Sequence, residues 1–317
     1  MKYVVTGCAG FIGSTLVDSL LEKGNHVVGI DNFSTGRKDF LSKANQNDNF
    51  LLVENDLKNI KQYSEVLENA GMVFHFAANA DVRFGLNHPS KDLHENTYNT
   101  FLLLEAMRKV NINNLIFAST GSVYGETEII PTPETCPFPI QTSLYGASKV
   151  AAEGFISAYC EGFSFNAAVC RFVSLMGPRY THGHVVDFVE SLKKDSTKLK
   201  ILGDGSQFKS YFHIDDCIRA MLILSEKITK KEIKGFFPIN LGTEEGISIK
   251  DSASIIISEL GFKTELFFTG GRQGWIGDNP IIQLDINKAK KLGWEPNYSI
   301  EKSIRNTAKW VYENLFI

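Results

Sequence analysis

Tyr145 and Lys149 stand four residues apart in the run Tyr145-Gly146-Ala147-Ser148-Lys149. On a helix that spacing puts both side chains on one face. A free phenol ionises near pH ~10, too high for a base at neutral pH. An ammonium one turn away favours the phenolate. Upstream, Ala118-Ser119-Thr120-Gly121-Ser122-Val123-Tyr124-Gly125 brings hydroxyls to the end of an apolar run. A hydroxyl there could bind the oxygen of a reacting C–OH while the phenolate takes its proton, a general acid–base arrangement. Taken singly, a Tyr-x-x-x-Lys is also a common surface pair, and a Ser-Thr run is also a polar strand end. The two acquire chemical meaning from what precedes them.

What precedes them is Thr6-Gly7-Cys8-Ala9-Gly10-Phe11-Ile12-Gly13, between an apolar strand and an amphipathic helix. Gly7 permits a tight turn, and the missing Cβ atoms let a pyrophosphate approach the backbone. Gly13 lets helix and strand pack closely, and the helix N-terminus adds N–H groups and a positive dipole end. Asp31-Asn32 follows the second strand. A carboxylate there can accept hydrogen bonds from both ribose hydroxyls of an adenosine and repels a 2′-phosphate, which favours NAD over NADP. Arg37 is near enough in sequence to serve a 2′-phosphate instead. Asp56-Leu57, after the third strand, sits where a Rossmann fold meets adenine; Asp56 alone could equally be a helix N-cap.

These residues need a scaffold that holds strand ends beside helix starts. Strands are expected at Lys2–Thr6, His26–Ile30, Phe50–Val53, Met72–Phe76, Leu115–Ser119 and Ala167–Phe172. Between them the apolar spacing predicts helices at Phe11–Lys23, stopped by Gly24, at Pro89–Val110 as one long helix, and at Ser143–Glu161. Strands alternating with helices mean βαβ units, whose right-handed crossovers give a parallel sheet covered on both faces. The expected class is α/β, a Rossmann-like doubly wound parallel sheet. Beyond it, helices near Val185–Lys193, Asp215–Glu226, Ile249–Leu260 and Ile300–Asn314 alternate with Gly-rich loops, which predicts a smaller α/β C-terminal lobe. A groove between two such lobes is a usual place for a ligand.

The bulk properties exclude several classes. Lys and Arg number 33 against 36 Asp and Glu, a net charge of −3. No basic excess exists to cover a nucleic-acid backbone. With 43% hydrophobic residues the chain is too apolar for disorder. No apolar run reaches the ~18 residues of a membrane span, and no cationic n-region or cleavage site marks a signal peptide. The five cysteines, Cys8, Cys136, Cys160, Cys170 and Cys217, show no metal or CxxC spacing. Free thiols and a cytoplasmic location are expected, with no metal.

With these motifs in place, the chain resembles the extended short-chain dehydrogenases/reductases of the NAD-dependent epimerase/dehydratase family, which act on nucleotide sugars. The resemblance covers essentially the whole chain. It also rests on His75-Phe76-Ala77-Ala78, Ala80-Asp81-Val82-Arg83, Asn96 before Thr97-Tyr98-Asn99-Thr100, Arg171-Phe172 with Gly177-Pro178-Arg179, Gly203-Asp204-Gly205-Ser206-Gln207, and Tyr211 to Asp216. The stretch Gly177-Pro178-Arg179-Tyr180-Thr181-His182-Gly183-His184, with Gly274-Trp275-Ile276-Gly277-Asp278, is similar to archaeal-type UDP-glucose 4-epimerases. His182 and His184 could be read as metal ligands, but no carboxylate or cysteine completes a site; a mobile lid with solvated histidines is the expectation.

The resemblance implies a catalytic set of Thr120, Tyr145 and Lys149. It implies NAD contacts at Gly7, Gly10, Phe11, Ile12, Gly13, Asp31, Asn32, Ser34, Gly36, Asp56, Leu57, Phe76, Ala77, Ala78, Asn96, Ser119, Tyr145, Lys149 and Phe172. Substrate contacts are implied at Arg83, Ser122, Tyr145, Ser174, Lys209, Tyr211, Arg272 and Asp278. Lys209 and Ser174 stand where relatives commonly have Arg and Asn. The implied domains are 1–173 for NAD, with 211–243 returning to it, and 174–317 for the nucleotide sugar. The implied reaction takes the proton from the 4-hydroxyl and the hydride from C4 and returns the hydride to the opposite face, with UDP-glucose/UDP-galactose or their N-acetyl forms favoured. Dehydratases usually carry an acidic residue just after the catalytic threonine, and here Gly121 and Ser122 provide no group that transfers a proton at neutral pH. A dehydratase, reductase or other epimerase of the family is the alternative. A homodimer pairing the Pro89–Val110 and Ser143–Glu161 helices is also implied.

Overall fold

The structure is a computed structural model that describes residues 1–82, 85, 87–137, 140–271 and 281–315. The strands run β1 Lys2–Thr6, β2 His26–Asp31, β3 Phe50–Glu54, β4 Met72–His75, β5 Asn114–Thr120, β6 Asn166–Phe172, β7 Ser174–Met176, β8 Lys198–Ile201, β9 Phe208–Lys209, β10 Tyr211–His213, β11 Phe236–Leu241, β12 Ile247–Ser248, β13 Glu265–Phe268 and β14 Ile281–Ile282. The helices are α1 Phe11–Glu22, α2 Pro89–Asp92, α3 Asn99–Lys109, α4 Leu144–Phe163, α5 His184–Lys194, α6 Ile214–Thr229, α7 Ile249–Leu260, α8 Asn287–Lys291 and α9 Ile300–Asn314.

Seven strands form the main sheet in the order β11-β6-β5-β4-β1-β2-β3. β1 pairs in parallel with both β2 and β4, and β2 with β3 and β4 with β5 likewise. This is the expected Rossmann-like doubly wound α/β fold. The reversal of strand order at β1 brings the ends of β1 and β4 side by side, the place where such sheets bind ligands. The central strands are buried because they are β-branched and apolar: Val4 and Val5 of β1 and Val73 and Phe74 of β4 are fully buried. α1 stops where expected, at Gly24 with φ 73, a left-handed backbone that glycine adopts without strain.

Two departures from the sequence reading concern helices. The segment expected as one helix over Pro89–Val110 is broken by a π-helical stretch at Leu93–Tyr98, between α2 and α3. α4 starts one residue later than expected, because Ser143 caps it by accepting a hydrogen bond from Gly146 N at 3.0 Å.

The chain divides into two compact units. The first comprises Met1–Val123, Ile140–Arg171 and Ile218–Ile239, and the second Tyr124–Pro139, Phe172–Cys217 and Asn240–Ile317. Thus 218–239 belongs to the first unit. Residues 124–139, grouped on sequence with the nucleotide domain, belong to the second, where Thr132 N donates to Gln283 O at 2.9 Å. The second unit has its own small sheets, β7 with β10, β9 between β12 and β14, and β8 with β13. Its core includes Trp294, whose Nε1 donates to Asp216 O at 2.9 Å. All five cysteines are free and buried. Among the described residues no helix is long and apolar enough to cross a membrane, and no His/Cys/Asp/Glu group has the arrangement to hold a metal ion.

Candidate active site

The turn after β1 is built around absent side chains. Gly7 has φ 67, and a Cβ there would lie 2.7 Å from Ala77 N. A Cβ on Gly13 would fall 2.1 Å from Gly7 O. Thr6 Oγ1 accepts from Phe76 N at 3.2 Å and Ala77 N at 3.3 Å, which ties the segment after β4 to the end of β1. Helix geometry leaves the first-turn N–H groups of α1 without i−4 acceptors, and Gly10 at the N-cap offers no side chain to cover them. The turn can therefore cradle a pyrophosphate.

Asp31 ends β2 and is 8% exposed. Its Oδ2 accepts from Ala9 N and its Oδ1 from Phe33 N, each at 2.8 Å. Burial pushes the carboxyl upward, against those two N–H bonds. Gly36 has no room for a side chain, since a Cβ would lie 2.8 Å from Asp31 Oδ1. Asn32 donates from Nδ2 to Asp56 Oδ2 at 3.0 Å and accepts from Ser34 N at 2.9 Å. Asp56 is also the N-cap of the 3₁₀ turn Leu57–Gln62, accepting from Lys58 N at 2.9 Å. Arg37, the residue that left a 2′-phosphate open, forks onto Asp39 at 3.0 and 2.7 Å.

The acid–base residues meet where β5 ends beside the start of α4. Thr120 Oγ1 donates to Ser122 Oγ at 3.2 Å, accepts from Ser122 N at 3.1 Å and shares a hydrogen bond with Tyr145. Burial pushes the Tyr145 phenol up to about 12; the Thr120 bond lowers it and the Asp92 charge raises it further. The Lys149 ammonium is 2.8 Å from Ala118 O and 4.7 Å above the Phe117 ring. Desolvation brings Lys149 down to about 8, opposed by the charges of Glu153 and then Asp92.

A polar network joins the turn to this pair. His75 Nδ1 and Nε2 lie 2.7 Å from Thr6 Oγ1 and 2.9 Å from Thr100 Oγ1. Thr100 gives its own proton to Asn96 O at 2.6 Å. Nε2–H therefore donates to Thr100, and Nδ1 accepts from Thr6. Burial, and then the Lys149 charge, hold His75 down to about 3, so the ring is neutral. Asn96, inside the π-helical stretch, accepts from Asn79 N at 2.8 Å and donates to Ser148 Oγ at 2.9 Å. Ser148 in turn donates to Tyr145 O at 2.8 Å. A π-bulge at a functional site is a recurrent device; here it sits where Asn96 bridges Asn79 and α4.

Within the second unit, Ser174 is exposed and lies opposite Tyr211 in the β7–β10 ladder. Lys209 is on β9, opposite Ile247 and Ile282. Phe172 packs on Phe212 at 6.1 Å. The lid reading of the histidines is corrected in part. His182 is exposed, but His184 opens α5, shares a 2.8 Å hydrogen bond with Ser252 Oγ and packs on Tyr211 at 5.1 Å. Burial, and then the Lys209 charge, push it down to about 3. Arg83, Arg272 and Asp278 lie outside the described residues.

Residues 3–242 match the model of the NAD-dependent epimerase/dehydratase family. The chain belongs to that family. It is 32% identical to the UDP-glucose 4-epimerase of Mycolicibacterium smegmatis, over 98% of this chain and 98% of that one. A crystal structure of a UDP-galactose 4-epimerase superposes with a TM-score of 0.89 at 34% identity, covering 100% of both chains. The UDP-glucuronic acid 4-epimerase of Bacillus cereus, in complex with UDP-glucuronic acid and NAD, superposes with a TM-score of 0.89 at 30% identity, over 99% of each chain. The family's cofactor is NAD, and the residues present fit it: the Cβ-free turn at Gly7 and Gly13, the uncapped start of α1 and the buried Asp31 carboxylate are the features a dinucleotide requires.

Sequence reasoning missed Glu153, Asp92, Asn79 and Ser148 as parts of this family site. Glu153 carried a readable signal, because it continues the Tyr145–Lys149 face by one more turn.

Proposed function

We propose that this chain is a UDP-sugar 4-epimerase, an isomerase that interconverts UDP-glucose and UDP-galactose or their N-acetyl forms. The observation that carries the reading is the Thr120–Tyr145 hydrogen bond with no carboxyl on the two residues after Thr120. Tyr145 takes the proton of the sugar 4-hydroxyl and later returns it. Thr120 holds the same oxygen and shortens the proton path. Bound NAD supplies the hydride acceptor and, once reduced, the donor. Lys149, fixed on Ala118 O, supplies positive charge beside the phenol. Asp31 and Asn32 would hold the adenosine ribose, and the Gly7–Gly13 turn the pyrophosphate. Gly121 and Ser122 offer no side chain that exchanges a proton near neutral pH, which favours reversal at one carbon over elimination of water. Lys209, Tyr211 and Ser174, with Arg83, Arg272, Asp278 and Ser122, are the proposed substrate contacts, and 174–317 the proposed nucleotide-sugar lobe. The kinship with UDP-sugar 4-epimerases supports the same reading.

Incubation with UDP-glucose, followed by proton NMR of the anomeric signals, tests it. UDP-galactose should accumulate to an equilibrium mixture without stoichiometric NADH. A 4-keto-6-deoxy product, or NADH released one for one, would overturn the assignment in favour of a dehydratase or reductase.

We also propose a cytoplasmic homodimer that uses the face of α3, the π-helical stretch before it and α4. Tyr98, Phe155 and Phe163 are 49%, 43% and 49% exposed there, and Phe101 bridges to Phe155 at 5.8 Å. Exposed aromatics grouped in this way mark an interaction surface. Sedimentation of the wild type against Phe155→Glu tests the assembly: a wild-type monomer would overturn it.

A further inference from the structure

Glu153 and Arg171 form an ion pair whose side chains are 1% and 3% exposed. Arg171 Nη2 donates to Glu153 Oε2 at 2.7 Å, and Nε lies 3.2 Å from both carboxylate oxygens. Ser119 Oγ donates to Oε1 at 2.5 Å. Such a buried pair is a weak source of stability, since apolar residues of the same volume often do as well. Its location gives it another use. Glu153 follows Lys149 by one turn of α4 and Tyr145 by two. Ser119 lies between Ala118, whose carbonyl receives the Lys149 ammonium, and Thr120, which shares a hydrogen bond with Tyr145.

We propose that Glu153 is a positioning residue for the Tyr145–Lys149 pair: held by Arg171, it fixes the end of β5 through Ser119 and sets its carboxylate one helical turn beyond Lys149. The proposal rests on the reading of Tyr145 and Lys149 as the catalytic pair. The groups facing Lys149 are Glu153 and Tyr145 on α4, Asp92 from α2, the neutral His75 from β4 and the Phe117 ring from β5. Only Glu153 and Asp92 among these bring negative charge. Removal of Glu153 leaves the desolvation of Lys149 opposed by Asp92 alone, and leaves the Arg171 guanidinium without its carboxylate.

The test is a titration of protein labelled with [13Cε]lysine, with the Lys149 signal identified by its loss in Lys149→Arg. In Glu153→Gln the Lys149 midpoint should fall by about one pH unit or more, and the alkaline limb of kcat should fall with it while KM stays near wild type. Glu153→Asp should restore most of the shift. A Glu153→Gln protein with both midpoints unchanged would overturn the charge role. If that variant does not fold, the apolar pair Glu153→Met with Arg171→Met removes both charges without stranding either, and the same midpoint is read. Ser119→Ala tests the other route: kcat should fall about tenfold at a constant Lys149 midpoint. Unchanged kcat would overturn positioning through Ser119. The NMR arm needs no turnover, so it stands apart from the catalytic reading, which fails instead if Tyr145→Phe turns over normally.

Discussion

Lys149 donates from Nζ to the carbonyl oxygen of Ala118 at 2.8 Å. The acceptor is a backbone atom near the end of β5, so no side-chain change at position 118 deletes it. The bond ties α4 to β5, the two elements that carry Tyr145 and Thr120. It also means that a lysine with 3% exposure is paired in the first instance with a neutral dipole, which explains why desolvation wins and the amine sits at about 8.

That placement predicts an exchange of activity against stability. The folded state holds Lys149 below its ordinary value, so between pH 8 and 10.5 the unfolded chain binds the extra proton. Stability rises with pH across that window, and below it the buried charge costs about 3 kcal/mol. Lys149→Met removes this cost together with the bond to Ala118 O, whose loss costs about 1–3 kcal/mol. The variant should be no less stable than wild type at pH 7 by urea titration, while kcat falls at least a hundredfold. A variant that is both inactive and several kcal/mol less stable would contradict the argument.

His75 should make the fold acid-sensitive. Its folded value, about 3, lies below the unfolded value of 6.5. The unfolded chain therefore binds the extra proton between those values, and stability falls as pH falls through the window, by up to about 1.4 kcal/mol per pH unit. In His75→Gln the amide can still donate to Thr100 and accept from Thr6, but it does not titrate. The difference in unfolding free energy between wild type and this variant, measured from pH 7 to pH 4.5, should shrink steadily toward acid. A pH-independent difference would show that His75 does not titrate as described.

Much of this site was legible because its chemistry is local in sequence. The Tyr145–Lys149 spacing, the glycines of the turn and Asp31 each follow from one element or one strand end, and the sheet follows from alternating apolar runs. What was missed depends on distant partners. Glu153 meets Ser119 across 34 residues and Arg171 across 18. His184 looked like a loop residue because its partner, Ser252, is 68 residues away. The π-helical stretch at Leu93–Tyr98 is invisible for another reason: its residues suit an α-helix equally well, and only the bonds of Asn96 to Asn79 and Ser148 show what the bulge accommodates. Asp56 was ambiguous for a physical reason, because one carboxylate can cap a turn and bond to Asn32 together.

Two glycines separate a required absence of side chain from a dispensable one. A Cβ on Gly13 would fall 2.1 Å from Gly7 O, a backbone atom that cannot turn aside. Gly13→Ala should cost about 3 kcal/mol or more and weaken NAD binding with it. Gly154, in α4, has open space around it, with nothing within 4 Å of where a Cβ would stand. Gly154→Ala should stabilise by about 0.5–1 kcal/mol through helix propensity. Thermal unfolding of the two variants reads both signs, and a stabilised Gly13→Ala would refute the packing account of the turn.

Thr120 and Ser122 carry the last prediction, because they mark both the proton path and the branch of chemistry. Thr120 Oγ1 is shared among Tyr145, Ser122 Oγ and Ser122 N, whereas Ser122 Oγ has the 3.2 Å bond from Thr120 as its contact in this cluster. Loss of the Thr120 hydroxyl removes a partner of the phenol that holds its pKa down, so the phenolate becomes harder to form. Thr120→Ala should therefore lower kcat by about 10²-fold and move the alkaline-rising limb of kcat to higher pH, with NAD affinity retained. Ser122→Ala should cost less than tenfold, since Thr120 keeps its bond to Tyr145. Thr120→Ser, which restores a hydroxyl, should recover most of the rate. A Ser122→Ala variant as impaired as Thr120→Ala would move the proton path onto Ser122, and a rate loss in Thr120→Ala without a shift in the pH profile would limit Thr120 to substrate binding.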